Sequence, residues 1–181
     1  MRVPYLEQPP AVIRIDGGRQ LFVDDFLIAE SSLAPAPQAA VKYPGNPVFF
    51  AETEWERNAV LPPCVVPKCG GIWRDPWTGT VRMWYMASYL GVMGHAESRD
   101  GVHWTRTPND VVPGSNLILP PDLHPDSGTV FLDPTGDPAE RYKMMIREPN
   151  DATRGGSFPA RLYVSGDGLH WRDVGVTGPM H

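Results

Sequence analysis

The chain has 181 residues, of which 41% are hydrophobic and 20% are charged, and its formal net charge is -5. This composition is typical of a globular protein, and the mild acidity without a basic stripe argues against nucleic acid as a partner. No apolar run approaches the roughly 18 residues of a membrane span, so a membrane is not an expected partner either. The 21 Pro and 18 Gly residues disfavour long helices and favour short strands joined by turns.

The N-terminal part of the chain precedes the regular pattern. Residues 11–30 hold two apolar runs around Asp16-Gly17-Gly18, which predict a hairpin, and residues 31–40 form a Pro/Ala-rich connector. Cys64 and Cys69 are interpreted as buried thiols, since no further Cys or His stands nearby at zinc-ligand spacing. We expect no metal and no other cofactor. The first residues contain no apolar core of signal-peptide length, but the compartment stays open because a signal peptide is removed from a mature protein.

Two seven-residue segments of the chain are nearly identical. Residues 98–104 read SRDGVHW and residues 165–171 read SGDGLHW. Asp-Gly between strand-like runs predicts a two-residue type I′ hairpin turn, with positive φ at both central residues. The Trp that follows is expected to begin the next strand.

The similarity extends upstream of these segments. Each copy has a glycine, four residues and then Asp-Pro, with Gly70 before Asp75 and Gly128 before Asp133. Asp-Pro followed by polar residues and Gly marks a turn, and strand-like runs of β-branched, aromatic and large apolar residues come next. Each unit therefore predicts a four-stranded antiparallel meander, and repetition of such a unit is typical of a β-propeller.

We expect an all-β chain that forms one partial β-propeller domain over residues 1–181. Its parts are the N-terminal hairpin at 11–30, a first blade at 43–107 and a second blade at 108–174. A closed propeller needs about four blades or more, and an open pair leaves strand edges exposed. Either the chain is part of a longer protein, or copies of it associate as a homo-oligomer.

Several motifs stand in a familiar order: QLFVDDFLI at 20–28, NPV at 46–48, WE at 55–56, RMWY at 82–85, SRDGVHW at 98–104 and DSGTVFLDP at 126–134. Together they resemble the N-terminal portion of five-bladed β-propeller proteins related to glycoside hydrolase families 32 and 43, over about residues 20–174. The resemblance implies a carbohydrate partner and carboxylates that converge at the propeller axis. One acid would protonate the leaving oxygen, and the other would act as nucleophile or activate water.

Two residues are the candidate catalytic acids. Asp126 precedes the innermost strand of the second repeat, where the first repeat has Lys68. A structural role that both repeats share therefore does not explain Asp126. The alternative is a turn residue at the strand entry. Glu148 follows the second strand of the same repeat, and a strand-end ion pair is the alternative there.

Five residues are candidates for substrate binding: Trp55, Glu56, Asp122, His124 and Arg147. The last three lie near the candidate acids along the chain. Trp55 and Glu56 precede the first repeat and would place an aromatic platform and an acid at the rim. Simple packing is the alternative for Trp55, because aromatic side chains dominate core burial.

The triplet 74–76, Arg-Asp-Pro, matches a motif of family 32 enzymes, but a counterpart stands at 132–134 in the second repeat. A feature present in both repeats is better explained by turn chemistry than by catalysis. The Asp and His residues of the two repeated turns are likewise expected to be hairpin or packing groups and not metal ligands.

Three functions follow from these patterns. The first is a glycoside-hydrolase-like propeller domain that acts on glycosidic bonds of an unidentified carbohydrate. The alternatives are a non-catalytic carbohydrate-binding or assembly module, and an inactive fragment of a longer propeller. A fold alone does not establish activity, so these hypotheses are separated only by the residues of the site.

Overall fold

In a computed structural model of the chain, the described residues are 8, 11–12, 25, 28–34, 36–58, 60, 62–67, 71–123, 125, 127–147 and 159–177. Backbone contacts divide the chain into two units, Met1–Val41 and Lys42–His181. The predicted hairpin at 11–30 falls mostly outside the described residues. Every element discussed below belongs to the second unit. In the described ranges, no helix is both long enough and apolar enough to cross a membrane.

The first sheet is antiparallel throughout. Its strands are β1 (Val65–Val66), β2 (Ile72–Arg74), β3 (Val81–Ala87), β4 (Val92–Ser98) and β5 (Trp104–Thr105). Strand β3 pairs with β4, and β4 pairs with β5, while β1 and β2 both pair with the other edge of β3. The short strands β1 and β2 therefore share the place of one first strand in a meander.

The second sheet repeats this arrangement in the order β6-β7-β8-β9. Its strands are β6 (Ser127–Leu132), β7 (Tyr142–Arg147), β8 (Ala160–Ser165) and β9 (Arg172–Val176). The only helical element in the described ranges is a short 3-10 helix, Pro138–Glu140, whose N-terminus is capped by the side chain of Asp137. The predicted all-β class and the two antiparallel sheets are confirmed.

The repeated turn has the same geometry in both sheets, but the predicted two-residue type I′ turn is wrong. Ser98 pairs with Trp104 across the first turn, so a longer loop connects β4 to β5. Positive φ occurs at Gly101 (80°) and Gly168 (76°) and not at the preceding aspartates. The physical reason is that the Asp side chain itself hydrogen-bonds the turn, which removes the need for a second left-handed residue.

These Asp-centred hydrogen bonds match closely between the two turns. Asp100 Oδ1 accepts the amides of Val102 and His103 at 2.8 Å each, and Asp167 Oδ1 accepts the equivalent amides at 2.8 and 2.9 Å. The other oxygen of each aspartate pairs with the Nδ1 of the histidine in the same turn, at 2.7 and 2.6 Å. The prediction that these Asp and His residues serve the hairpins is confirmed.

The Asp-Pro segments are turns, as predicted. Asp75 Oδ1 accepts the amides of Trp77 and Thr78 at 2.8 and 3.1 Å, which closes the turn between β2 and β3. Asp133 accepts the amides of Thr135 and Gly136 in the corresponding turn. The remaining oxygen of Asp75 accepts the hydroxyl of Tyr142 from the other sheet at 2.9 Å, so this turn also ties the two sheets together.

Three side chains of the first sheet donate hydrogen bonds to backbone carbonyls of the second. The Trp73 indole donates to Val130 O at 2.7 Å, the Trp84 indole donates to Gly168 O at 2.7 Å, and the Arg82 guanidinium donates to Asp167 O. The Arg82 Cζ atom also lies 5.2 Å from the ring centroids of both Trp84 and Tyr142. Each hydrogen bond joins a side chain of the first sheet to a defined carbonyl of the second repeat, so the interface is specific as well as apolar.

The core has two parts, one on each face of the first sheet. Between the sheets lies an apolar cluster formed by Trp84, Met93, Ile118, Leu119, Val130, Tyr142, Met144, Ile146 and Tyr163. On the opposite face lies a second cluster formed by Met83, Tyr85, Ala87, Val92, Ala96 and Leu117. Phe49 and Trp55 pack against this second cluster, so the segment before β1 covers the outer face of the first sheet.

A matched pair of glycine substitutions tests the interface. Gly101→Ala is expected to lower the free energy of unfolding by about 1 kcal/mol, the cost of positive φ for a residue with a Cβ, because that Cβ meets nothing within 4 Å. Gly168→Ala should cost roughly 3 kcal/mol, since its Cβ would also lie 2.7 Å from Trp84 Cζ2 and overpack the interface. Urea unfolding measures both losses, and equal losses would contradict the described packing.

Candidate functional site

A single turn before β1 positions Trp55. Thr53 and Glu56 form a reciprocal cap, in which Glu56 Oε2 accepts the Thr53 amide at 2.9 Å and Thr53 Oγ1 accepts the Glu56 amide at 3.4 Å. The sequence Thr-x-x-Glu is the pattern of such a capping box. The turn is closed by the Arg57 amide, which donates to Thr53 O at 3.0 Å.

The carboxylate of Glu56 is fully buried and surrounded by donors. Its side chain has a relative exposure of 0%. Oε1 accepts the hydroxyl of Tyr85 at 2.6 Å and the Nε of Arg106 at 2.7 Å. Oε2 accepts the amide of Glu52 at 2.7 Å, in addition to the Thr53 amide, and Nη2 of Arg106 at 3.0 Å. The structure therefore places Glu56 inside the protein and not at an exposed rim.

This environment holds Glu56 as an anion. Burial opposes the charge and by itself raises the pKa of Glu56, but the hydrogen bonds from Arg106, the Glu52 and Thr53 amides and Tyr85 outweigh burial and leave the pKa below its usual value. The pKa of the Tyr85 hydroxyl is raised, first by burial and then by its hydrogen bond to Glu56. A carboxylate with five hydrogen-bond donors is poorly suited to general acid or base work, because protonation would break these bonds.

A cavity of about 370 Å³ opens beside this buried cluster. Its walls are Thr53, Glu54, Trp55, Arg106, Pro108, Gly114, Ser115 and Asn116. Trp55 is half-buried and contributes the aromatic wall. Asn116 is buried, and its amide donates to Tyr85 Oη at 2.7 Å and to His95 O at 2.8 Å. The cavity thus combines one aromatic surface with several polar side chains, a combination typical of small-ligand sites.

The other predicted site residues fall into two groups. Arg147 is the last residue of β7 and pairs with Ser127 and Ala160, and Asp122 is exposed in the turn that follows Pro120. Asp126, Glu148 and His124 lie outside the described residues. The structure brings Trp55 and Glu56 together in one turn, and their roles in substrate binding stay predictions.

Sequence reasoning missed three residues of the site: Tyr85, Arg106 and Asn116. Their partners are 29 to 50 residues away along the chain, so no local pattern joins them. One signal was present in the sequence, because the Thr53-x-x-Glu56 capping box indicates that Glu56 is used locally.

The described residues contain no group of three or more His, Cys, Asp or Glu side chains that could hold a metal ion. No family model matches the chain, and a search of the curated proteins finds no match. The resemblance to families 32 and 43 therefore rests on the sequence motifs alone.

Proposed function

We propose that this chain is a carbohydrate-binding module that receives a sugar ring against Trp55. The observation that carries the proposal is the cavity of about 370 Å³ in which a half-buried indole stands beside the side chains of Thr53, Ser115 and Asn116. An aromatic ring offers a flat apolar surface, and the polar groups around it fix orientation. The saturated hydrogen bonding of Glu56 favours binding over proton transfer at this place.

We further propose that the two sheets are successive blades of a partial five-bladed β-propeller. Two observations support this. Both sheets are meanders with the same order of Asp-centred turns, and the first strand of the second sheet lies against the first sheet through the Trp73 indole. The resemblance to proteins related to glycoside hydrolase families 32 and 43 supports the same architecture. In a propeller of this kind, the chain works either within a longer polypeptide or with further copies of itself.

Replacing Trp55 by Ala tests the binding proposal. Calorimetric titration with a panel of oligosaccharides is expected to identify a ligand for the wild-type chain, and Trp55→Ala should weaken its binding by tenfold or more, on the order of an aromatic hot spot. Trp77→Ala is the matched control, because Trp77 is 52% exposed in the β2–β3 turn and does not line the cavity. Equal affinity of wild type and Trp55→Ala, or equal loss in both variants, would contradict the proposal.

Hydrolysis of glycosidic bonds is the second candidate function, with Asp126 as the axial acid and Glu148 as its companion. The observation that favours it is the register of β6 and β7, in which Ser127, the residue after Asp126, pairs with Arg147. Arg147 therefore ends β7 opposite the residue that follows Asp126 in the sequence, and we propose that its positive charge favours the carboxylate form of Asp126.

The hydrolysis proposal predicts a specific effect of Asp126→Asn. This change keeps the shape of the side chain and removes its proton chemistry, so hydrolysis of aryl-glycosides should fall by at least 100-fold, on the scale of general acid–base catalysis, with little change in melting temperature. A lower melting temperature with unchanged hydrolysis would make Asp126 a structural residue. A wild-type chain that hydrolyses none of a broad panel of aryl-glycosides and oligosaccharides would refute this second proposal and leave the binding proposal intact.

A further inference from the structure

The cavity of the candidate site is surrounded by more negative than positive charge. Glu54 and Arg106 line its wall, and the carboxylates of Glu52 and Glu56 lie against the Arg106 guanidinium. Three carboxylates thus face one guanidinium, which leaves an excess of negative charge. Arg57 on the same turn is exposed, donates to a backbone carbonyl and is not part of the cavity wall. The excess stays negative even when Arg57 is counted.

The positive charge at the cavity is already used within the protein. Arg106 Nε and Nη2 donate to Glu56 at 2.7 and 3.0 Å, and Nη1 donates to Glu52 at 2.7 Å. Nη2 also donates to Phe50 O, and the Arg106 Cζ atom lies 4.1 Å from the ring centroid of Phe49. An anionic ligand would have to compete with two carboxylates for these N–H groups. The cavity is therefore poorly suited to an acidic sugar or a phosphate.

Glu54 differs from the two glutamates that flank it at alternate positions. It lines the cavity and is exposed, and within the described part of the chain its carboxylate has no hydrogen-bond or ion-pair partner. Because the side chain is flexible and accessible, its carboxylate can turn toward a ligand in the cavity. Its attraction also acts over about 8 Å at physiological salt, so it does not depend on one fixed contact.

Trp55 adds a second preference for positive charge. It is half-buried and lines the same cavity, next to Glu54 in the sequence. The face of an indole ring attracts cations and also packs against the apolar face of a sugar ring. An aromatic wall beside an unpaired carboxylate therefore suits a ligand that combines a sugar ring with a positive charge.

We propose that this cavity takes a sugar that carries a protonated amine, with its ring against Trp55 and its ammonium group paired with Glu54. This inference rests on the proposed carbohydrate-binding function and adds the charge of the ligand to it. An exposed ion pair contributes at most about fivefold in affinity. The ring contact with Trp55 supplies the larger share of binding, and Glu54 supplies the selection for the amine.

The test compares three tetrasaccharides with the same ring and the same β-1,4 linkage, built from glucosamine, N-acetylglucosamine or glucose. They differ at the second carbon, which carries an ammonium, an acetamide or a hydroxyl group. Calorimetric titration at about pH 6 keeps the amine protonated. The glucosamine tetramer should bind about fivefold more tightly than the other two, and this preference should shrink in about 1 M NaCl. Equal affinities, or a preference for a neutral tetramer, would overturn the proposal.

Two matched variants locate the preference. Glu54→Gln should weaken binding of the glucosamine tetramer about fivefold and leave binding of the glucose tetramer unchanged. Glu140→Gln removes the same charge from the 3-10 helix at 138–140, outside the cavity, and should leave all three affinities unchanged. An equal loss in both variants would mean that the ammonium groups respond to the overall negative charge of the protein, which would refute the role of Glu54.

Trp55→Ala separates the two levels of the proposal. It should weaken binding of all three tetramers, whatever their charge. If Trp55→Ala has this effect but wild type shows no preference for the amine, the binding function stands and the amine assignment is refuted. If wild type binds none of the three tetramers, the amine assignment is refuted as well, and the wider oligosaccharide panel decides the binding function.

Discussion

Replacing Glu56 by Gln is expected to lower the free energy of unfolding by about 3 kcal/mol, the cost of removing one partner of a buried ion pair. The side chain of Glu56 has a relative exposure of 0% and that of Arg106 has 15%, so the guanidinium would keep its burial and lose its main counter-ion. The side-chain NH₂ group of the glutamine would also face the hydrogen-bond donors that now surround the Glu56 carboxylate. Urea unfolding at pH 7 measures the loss.

A double-mutant cycle separates the ion pair from the packing. Arg106→Leu alone should be comparably destabilising, whereas Glu56→Leu combined with Arg106→Leu should cost clearly less than the sum of the single changes, because no charge is left unpaired. Glu52→Gln is the matched control: Glu52 also pairs with Arg106 but its side chain is 61% exposed, so its loss should be at most about 1 kcal/mol. A loss for Glu56→Gln no larger than that for Glu52→Gln would contradict the described network.

Acidification is expected to destabilise the protein through His95. This side chain is fully buried, its Nε2 accepts a hydrogen bond from Arg82 Nε at 3.2 Å, and its ring lies 5.4 Å from that of Trp84. Burial, followed by the positive charge of Arg82, lowers the pKa of His95 to about 3. His95 therefore binds a proton near pH 6.5 in the unfolded chain, whereas in the folded chain it binds one only at about pH 3. The contribution of His95 to the free energy of unfolding is fully present above pH 6.5. It falls by about 1.4 kcal/mol per pH unit as the pH drops toward 3.

His95→Leu isolates this contribution. Leu is the residue that the second sheet uses at the matching position, since Leu162 pairs with Met145 as His95 pairs with Trp84. Between pH 7 and pH 5, the wild-type chain should lose about 2 kcal/mol more than His95→Leu in urea unfolding, the value for one histidine with so low a pKa. If the two chains lose stability in parallel over this range, His95 is not neutral in the folded protein.

Local patterns in the sequence predicted the sheets. Asp75 and Asp133 each fold the backbone that immediately follows them, so a turn at each position could be inferred without knowledge of the rest of the chain. The predicted type of the Asp-Gly turns was wrong, because the geometry of these turns depends on more than the two residues themselves. Asp-Gly alone favours a two-residue turn. The hydrogen bonds from the Gly101 amide to Ser98 Oγ and from the His103 amide to Asp100 Oδ1 show only in three dimensions.

The site was less accessible to sequence reasoning. The position of Glu56 before the first repeat predicts an acid at the rim, whereas its burial depends on Arg106, 50 residues further along the chain. Trp171 raises the same difficulty. Its turn is nearly identical to that of Trp104, but Trp104 Nε1 donates to the glycine carbonyl of its own turn, whereas Gly168 O accepts from Trp84 across the interface. Long-range partners of this kind are invisible to spacing and composition.

The hydrogen bonds from Trp73, Trp84 and Arg82 to backbone carbonyls of the second repeat also affect how the protein folds. These hydrogen bonds join residues 57, 84 and 85 positions apart, so each requires closure of a long stretch of chain. The entropy of that closure is incurred largely once, because the first long-range bond brings the partners of the others within reach. The two sheets are therefore linked in one cooperative unit. Amide hydrogen exchange should accordingly report a shared opening free energy for the central strands of both sheets.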